Sequence, residues 1–239
     1  MDSLRWMEFD RLVHEAWPAY ESREHDGWVL RYAGGVTKRA NSVLPLGAPA
    51  DLDAAIAAAE AFYAERGARS AFSLGPGAMP GLDAALERRG YELVDPTLIM
   101  SWSGEAREPE HPVRIEESPW AAWGDSWWAV DGRYADGRPA AERIFTGVPA
   151  WYAAVEEDGV PLAVGRAVPQ GDTLGIYCMA TLPGARRRGL ARSVLRAMLR
   201  RGGLPSAYLV VTRANEAAQA LYASEGFERF SGGYHYRVR

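Results

Sequence analysis

The sequence predicts an α/β protein made of two fused mixed-sheet units with flanking helices, and three observations carry that expectation. Apolar patterns of period two and of period 3.6 alternate along the 239 residues, as strands interleaved with helices require. Each half closes a helix on glycine followed by an aromatic, ALERRGYELV in the first and LYASEGFERF in the second, which marks an internal repeat. Between residues 174 and 201 an apolar strand, a tight basic loop and an amphipathic helix follow without a break, LGIYCMATLPGARRRGLARSVLRAMLRR.

Taken in order, residues 4–20 mix apolar and charged positions up to Pro18, one helix or two short ones. Residues 27–46 alternate on either side of Gly34-Gly35, a turn dipeptide, and predict a hairpin. An alanine-rich helix is expected over 51–66, with Asp51 at its start and Gly67 beyond its end. A short strand over 70–74 is broken by Gly75-Pro76-Gly77, a helix over 82–89 is stopped by Gly90, and 91–102 resumes extended structure. The polar stretch 103–112 has two prolines and no apolar period, so the expected units are 1–104 and 113–239, with 105–112 as linker. The second half repeats the order: helices over 120–130 and 139–145, strands over 150–156 and 161–169 around Asp158-Gly159, then the central strand and helix. A strand over 207–212, a helix over 215–225 stopped by Gly226 and two final strands complete it.

Composition bounds the function. At 48% hydrophobic and 24% charged residues the chain reads as globular, and no apolar run reaches the roughly 20 residues of a membrane span. The net charge of -4 argues against a nucleic-acid partner, despite three consecutive arginines. One cysteine, Cys178, excludes an intrachain disulfide, and the first residues lack the apolar run of a signal peptide, so a cytoplasmic protein is expected. His14, His25, His111 and His235 are too scattered for a metal site.

Leu190, Val194, Leu195, Met198 and Leu199 recur at helical spacing, predicting a helix from about 186 to 201 whose first turn is the arginine loop. Backbone N–H groups at a helix start have no partners, and the macrodipole adds about half a positive charge there, so the loop suits an anion. Gly189 and Ala191 leave room for it. A nucleotide-triphosphate loop is excluded: Gly184 and Gly189 have its spacing, but Leu190 and Ala191 stand where lysine and a hydroxyl are needed.

This strand-loop-helix resembles the acyl-CoA pyrophosphate loop of the GNAT N-acetyltransferase superfamily, whose pattern Q/R-x-x-G-x-G/A is met by Arg186, Gly189 and Ala191. The resemblance implies a tandem GNAT protein with acetyl-CoA as acyl donor. It implies that the amides across Arg187, Arg188, Gly189, Leu190, Ala191 and Arg192 hold the pyrophosphate, and that Met179, Ala180 and Thr181 pair with the pantetheine arm. A second motif, N-x-x-A-x-x-L-Y-x-x-x-G-F, is met by Asn215, Ala218, Leu221, Tyr222, Gly226 and Phe227. In the family that tyrosine protonates the departing thiolate and the asparagine touches the pantetheine. Tyr222 also fits a packing position and Asn215 a helix N-cap, and each pair of roles is compatible.

The first copy departs from the pattern, since aligning Pro45 with Pro183 sets Asp51 and Asp53 against Gly189 and Ala191. Carboxylates there repel a pyrophosphate and compete for the same helix end, and Leu86 replaces Tyr222, so the first unit is expected to be degenerate. The general base has only weak candidates in Glu156, Glu157 and Asp172, beside a base-free route through an already neutral amine. Arg192, Arg196 and Arg200 form an i, i+4 row that could touch a phosphate, with a solvated helix face the favoured reading beyond Arg192. Trp120, Trp123, Trp127 and Trp128 read as acceptor-pocket lining or as packing between the copies, and Arg31, Arg39 and Asn41 as groups for an acidic acceptor. The expected function is acetyl transfer to a primary amine of a small molecule or peptide, the alternative a non-catalytic acyl-CoA sensor.

Overall fold

The computed structural model describes residues 9–132 and 136–239; the start of the first expected helix, before Phe9, lies outside them. The first half of the chain carries α1 (Phe9–Ala16), β1 (Glu21–His25), β2 (Trp28–Tyr32), β3 (Val43–Pro45), α2 (Leu52–Ala64), β4 (Ala71–Leu74), α3 (Leu82–Arg88) and β5 (Glu92–Ser103). The second carries β6 (Arg114–Glu116), α4 (Ala121–Asp131), α5 (Arg138–Phe145), β7 (Trp151–Glu157), β8 (Val160–Gln170) and β9 (Thr173–Thr181). It continues with α6 (Leu190–Gly202), β10 (Ser206–Thr212), α7 (Glu216–Ser224) and β11 (Glu228–Val238). Two compact units result: Met1–Leu98 with Arg143–Gly147 and Ser231–Arg239, and Ile99–Glu142 with Val148–Phe230. The last residues of the chain thus join the first unit.

In the first unit β1, β2 and β3 run antiparallel in turn, β4 lies parallel to β3 at Val43↔Phe72, and the end of β11 pairs antiparallel with β4 from Ala71↔Val238 to Leu74↔His235. Trp28, Leu30 and Phe72 from the sheet meet Ile56, Ala59 and Phe62 of α2 and Leu86 of α3 in one buried cluster, with the Trp28 and Phe72 rings edge to face at 5.5 Å. Arg237 of β11 ties this sheet to α3, donating through Nε to Asp83 Oδ1 at 2.6 Å and through Nη1 to the Tyr91 carbonyl at 3.1 Å.

Three expectations are corrected. The tight hairpin turn is Asp26-Gly27, with φ of 46° and 79°, between β1 and β2. Gly34-Gly35 sit instead in the longer loop that joins β2 to β3. β1 escapes the apolar pattern because ESREH is almost wholly exposed, an edge strand with no buried face to write a period into its sequence. The two expected final strands are one, β11: a Cβ on Gly233 would meet the Thr97 carbonyl oxygen at 2.2 Å, so that glycine serves a close backbone approach and not a turn.

In the second unit the strand order is β5-β10-β9-β8-β7-β6. β9 and β10 are parallel; β8/β9, β7/β8 and β6/β7 are antiparallel. A Cβ on Gly165 of β8 would overlap Val194 and Met198 of α6, whereas the neighbouring position, Arg166, shares its face with Tyr152, against which Trp123 of α4 packs edge to face at 5.1 Å. α6 and α4 therefore cover opposite faces, as the alternation of strand side chains requires. Trp123 is fully buried, donates to the Ala153 carbonyl at 3.1 Å and stacks on Trp127 at 6.4 Å, so these two tryptophans build the unit's own core. Among the described residues no helix is long and apolar enough to cross a membrane.

Candidate active site

The helix expected from about residue 186 begins at Leu190. Arg187 and Gly189 take φ of 65° and 80°, left-handed values that no α-helix contains, and a 3₁₀ turn, Pro183–Ala185, precedes them. The arginines thus form a loop leading into α6. Its first inward hydrogen bond runs from the Ser193 amide to the Gly189 carbonyl at 3.1 Å. Among the described residues the amides of Arg187 through Arg192 find no acceptor, and Gly189 at the N-cap offers no side chain to satisfy them. Such a row of unmet donors at the positive end of a helix attracts an anion.

In the first unit the corresponding helix start is closed. The Asp51 carboxylate accepts from the amides of Asp53 at 2.9 Å and Ala54 at 3.0 Å, and Asp53 pairs with Arg89. An anion would have to displace a carboxylate already bound there. Leu86, the counterpart of Tyr222, is fully buried.

The strand feeding the loop is bulged. Val164 faces Ala180 but Arg166 faces Tyr177, so Cys178 and Met179 together oppose Gly165, and Cys178 takes a φ of 53°. A bulge releases ladder groups from their partners and re-aims them. On the other edge of β9 the paired positions run from Thr173↔Ser206 to Ile176↔Leu209 and stop, although both strands continue to Thr181 and Thr212. The positions paired with β10 thus end at Ile176, before Met179, Ala180 and Thr181. Arg186 joins loop to strand, its Nε 3.3 Å from the Thr181 carbonyl, and Arg188 pairs with Glu157.

Helix α7 starts at Asn215, whose Oδ1 accepts from the Ala218 amide at 3.1 Å, the N-cap role foreseen for it. Tyr222 lies one turn from its end, 7% exposed, its ring 6.0 Å from Phe227, and burial pushes its hydroxyl up to about 12. Among the described residues no hydrogen bond reaches that hydroxyl. The end of α7 is bound to the start of α6: Arg192 Nε lies 2.9 Å from Glu225 Oε1 and its Nη2 donates to Ser224 Oγ at 3.3 Å. The loop and the tyrosine-bearing helix are held as one piece.

Arg196 corrects the solvated-face reading. It is 8% exposed and forks onto Glu225, with Nη1 donating to Glu110 Oε1 and the Glu108 carbonyl at 3.0 and 3.1 Å. Arg200 reaches Glu108 at 2.6 Å. The stretch expected as linker is thus a strap along α6, fixed further by Ser193 Oγ, which accepts from the amides of Glu110 and His111 at 3.1 Å each. His111 Nε2 donates to the Arg188 carbonyl at 3.1 Å and so props the loop from behind. Sequence spacing places Arg196 in its row but carries no trace of Glu225 or the strap, which come from remote segments.

Of the base candidates, Glu157 is taken by Arg188 and Glu156 lies 3.6 Å from Arg114. A polar chain that the sequence did not single out runs beneath α4: Tyr177 and Tyr208 share a hydroxyl hydrogen bond of 2.7 Å, and Tyr208 donates to Gln170 at 2.7 Å. In the first unit Asn41 is consumed by its own loop, accepting from the amides of Ala33 and Gly35 and donating to the carbonyls of Val36 and Thr37. It has no capacity left for a ligand.

Comparison with known proteins concerns the chain as a whole. Residues 7–238 match the family described as "Probable histone acetyltransferase Rv0428c C-terminal". The Bacillus subtilis protein called Uncharacterized N-acetyltransferase YobR is 28% identical over 251 residues, covering the whole of both chains. A GCN5-related N-acetyltransferase from Kribbella flavida superposes with a TM-score of 0.72 at 18% identity, over 98% of this chain and 95% of that one. A tandem GNAT protein from the clavulanic acid biosynthesis pathway gives 0.62 at 12% identity, over 96% and 86%. The match along nearly the whole chain places the protein in that acetyltransferase family, and its fold is that of the GNAT N-acetyltransferases, a tandem one among them.

Proposed function

We propose that the second unit moves an acetyl group from acetyl-CoA to a primary amine of a small molecule or peptide, in a cytoplasmic setting, and that the first unit is a degenerate copy. The observation that carries this reading is the row of unmet amides from Arg187 to Arg192, set against the closed helix start at Asp51. Those amides take the pyrophosphate, with Arg186, Arg187 and Arg188 adding positive charge around it. Met179, Ala180 and Thr181, beyond the β9 positions paired with β10, pair with the pantetheine arm, and Asn215 borders its path. Acetyl-CoA supplies the activated acetyl group.

Backbone donors re-aimed by the bulge at Cys178-Met179 stabilise negative charge on the acetyl carbonyl, the electrostatic contribution that dominates acyl transfer. As nitrogen bonds to the carbonyl carbon and the carbon–sulfur bond breaks, Tyr222 gives its proton to the thiolate. The amine enters neutral, and its surplus proton leaves to water, which returns one to the Tyr222 phenolate and restores the donor, since Glu157 is committed to Arg188. The test is thiol release from acetyl-CoA across a panel of amines, with Tyr222→Phe as the control. Release that depends on the amine and falls in the variant supports the reading; no release with any amine, despite saturable coenzyme binding, contradicts it.

A further inference from the structure

The peptide between Arg188 and Gly189 lies within the row of unmet amides, and glycine gives it no orientation of its own. Gly189 takes a φ of 80°, but a residue without Cβ reaches negative φ about as readily, so the peptide plane can turn over at little local cost. What fixes the plane comes from outside the loop: the His111 imidazole donates through Nε2 to the Arg188 carbonyl at 3.1 Å. In a trans peptide the carbonyl and the following N–H point in opposite directions. With the carbonyl turned onto His111, the Gly189 amide faces away from the strap. A flipped plane would aim a carbonyl oxygen at the anion instead.

The imidazole is itself held in place. His111 is half-buried, its backbone N–H and that of Glu110 both donate to Ser193 Oγ at 3.1 Å, and Ser193 is fully buried in the first turn of α6. Glu110 Oε1 accepts from Arg196 Nη1 at 3.0 Å. None of these contacts uses the imidazole, so the strap stays tied when that ring is removed. The strap also closes one side of the loop: a Cβ on Gly189 would meet Glu110 Oε2 at 3.5 Å and His111 Nε2 at 3.8 Å. A carboxylate there repels an anion, which therefore meets the Gly189 amide from the opposite side.

We propose that His111 is a positioning residue for the coenzyme, setting the Arg188–Gly189 peptide so that the Gly189 amide donates to the pyrophosphate. This role rests on the reading of the arginine loop as the coenzyme cradle, and His111 acts through the peptide rather than on the reacting atoms.

Isothermal titration of the full chain with coenzyme A tests it, using His111→Ala, His111→Asn and His111→Gln, with the unfolding midpoint of each measured alongside. Glutamine carries its amide N–H about as far from the backbone as Nε2 and can restore the bond; asparagine stops short. Affinity is expected to fall about tenfold in His111→Ala and His111→Asn, the worth of one hydrogen bond to a charged group, and to return to within about twofold of the unaltered chain in His111→Gln. Affinity unchanged in His111→Ala, equally weak in His111→Gln, or merely following the unfolding midpoint across the three variants would overturn the proposal and leave the coenzyme reading standing. No saturable binding by the unaltered chain would remove both together.

Discussion

Arg196 grips Glu225 with both arms of its fork, Nε to Oε2 at 2.7 Å and Nη2 to Oε1 at 3.0 Å, and so locks the helix behind the arginine loop to the helix that carries Tyr222. The Glu225 side chain is 3% exposed, so with Arg196 removed it has Arg192, 2.9 Å from Oε1, as its remaining cation and little recourse to water. Arg196→Met is therefore expected to cost about 3 kcal/mol, measured by urea unfolding. Arg196→Met with Glu225→Leu should recover most of that loss, because the stranded charge goes with its partner; a double variant no more stable than the single would show that the pair acts otherwise.

Gly233→Ala places a methyl on the Thr97 carbonyl oxygen, which belongs to backbone and has no rotamer to escape into. A loss of about 2 to 4 kcal/mol is expected, in the range of overpacked interiors. Gly189→Ala makes the contrast: its Cβ meets nothing nearer than Glu110 Oε2 at 3.5 Å, so only the left-handed φ of 80° is penalised, by about 1 kcal/mol. Thermal unfolding of the two variants side by side reads the difference.

Asp10 and His14 sit one helical turn apart on α1 and give stability opposite dependences on pH. Burial raises Asp10 from 3.8 to about 6, so between those values the folded state binds more protons than the unfolded chain and stability falls as pH rises. Burial, with Arg31 and Arg11 nearby, lowers His14 from 6.5 to about 4; there the unfolded chain binds more protons and stability rises with pH. The two slopes oppose each other between pH 4 and 6. Asp10→Asn should unmask a rise with pH and His14→Gln a fall, the Asp10 share being on the order of 3 kcal/mol. Unfolding midpoints across this range that keep the wild-type slope in both variants would refute the assignment.

Tyr222→Phe is expected to lower kcat about 10- to 100-fold with little change in KM for acetyl-CoA, the loss of a proton donor that does not hold the coenzyme. Because burial keeps the hydroxyl protonated up to about 12, no alkaline limb below that pH should belong to it. A raised KM at constant kcat would make Tyr222 a packing residue.

Where the sequence spoke clearly, a buried face had written a period into it: α2, α6 and the central strands stand close to where apolar spacing puts them. The arginine loop was legible for a different reason, since glycine at position 189 answers a local backbone need. What escaped had no local signature. β1 is exposed along its length, the strap 105–112 is fastened by the side chains of Ser193, Arg196 and Arg200 from a distant helix, and Gly233 lies inside a strand to serve a close approach. The helix start at Leu190 was misplaced because Arg187 takes a left-handed conformation that arginine does not advertise.

The most direct test is a titration of the isotopically labelled chain with coenzyme A, following each backbone amide by nuclear magnetic resonance. The account predicts the largest shifts at the amides of Arg187 through Arg192, with those of Asp53 and Ala54 unmoved. Shifts centred on Asp53 and Ala54, or saturable binding that leaves Arg187–Arg192 unperturbed, would contradict it.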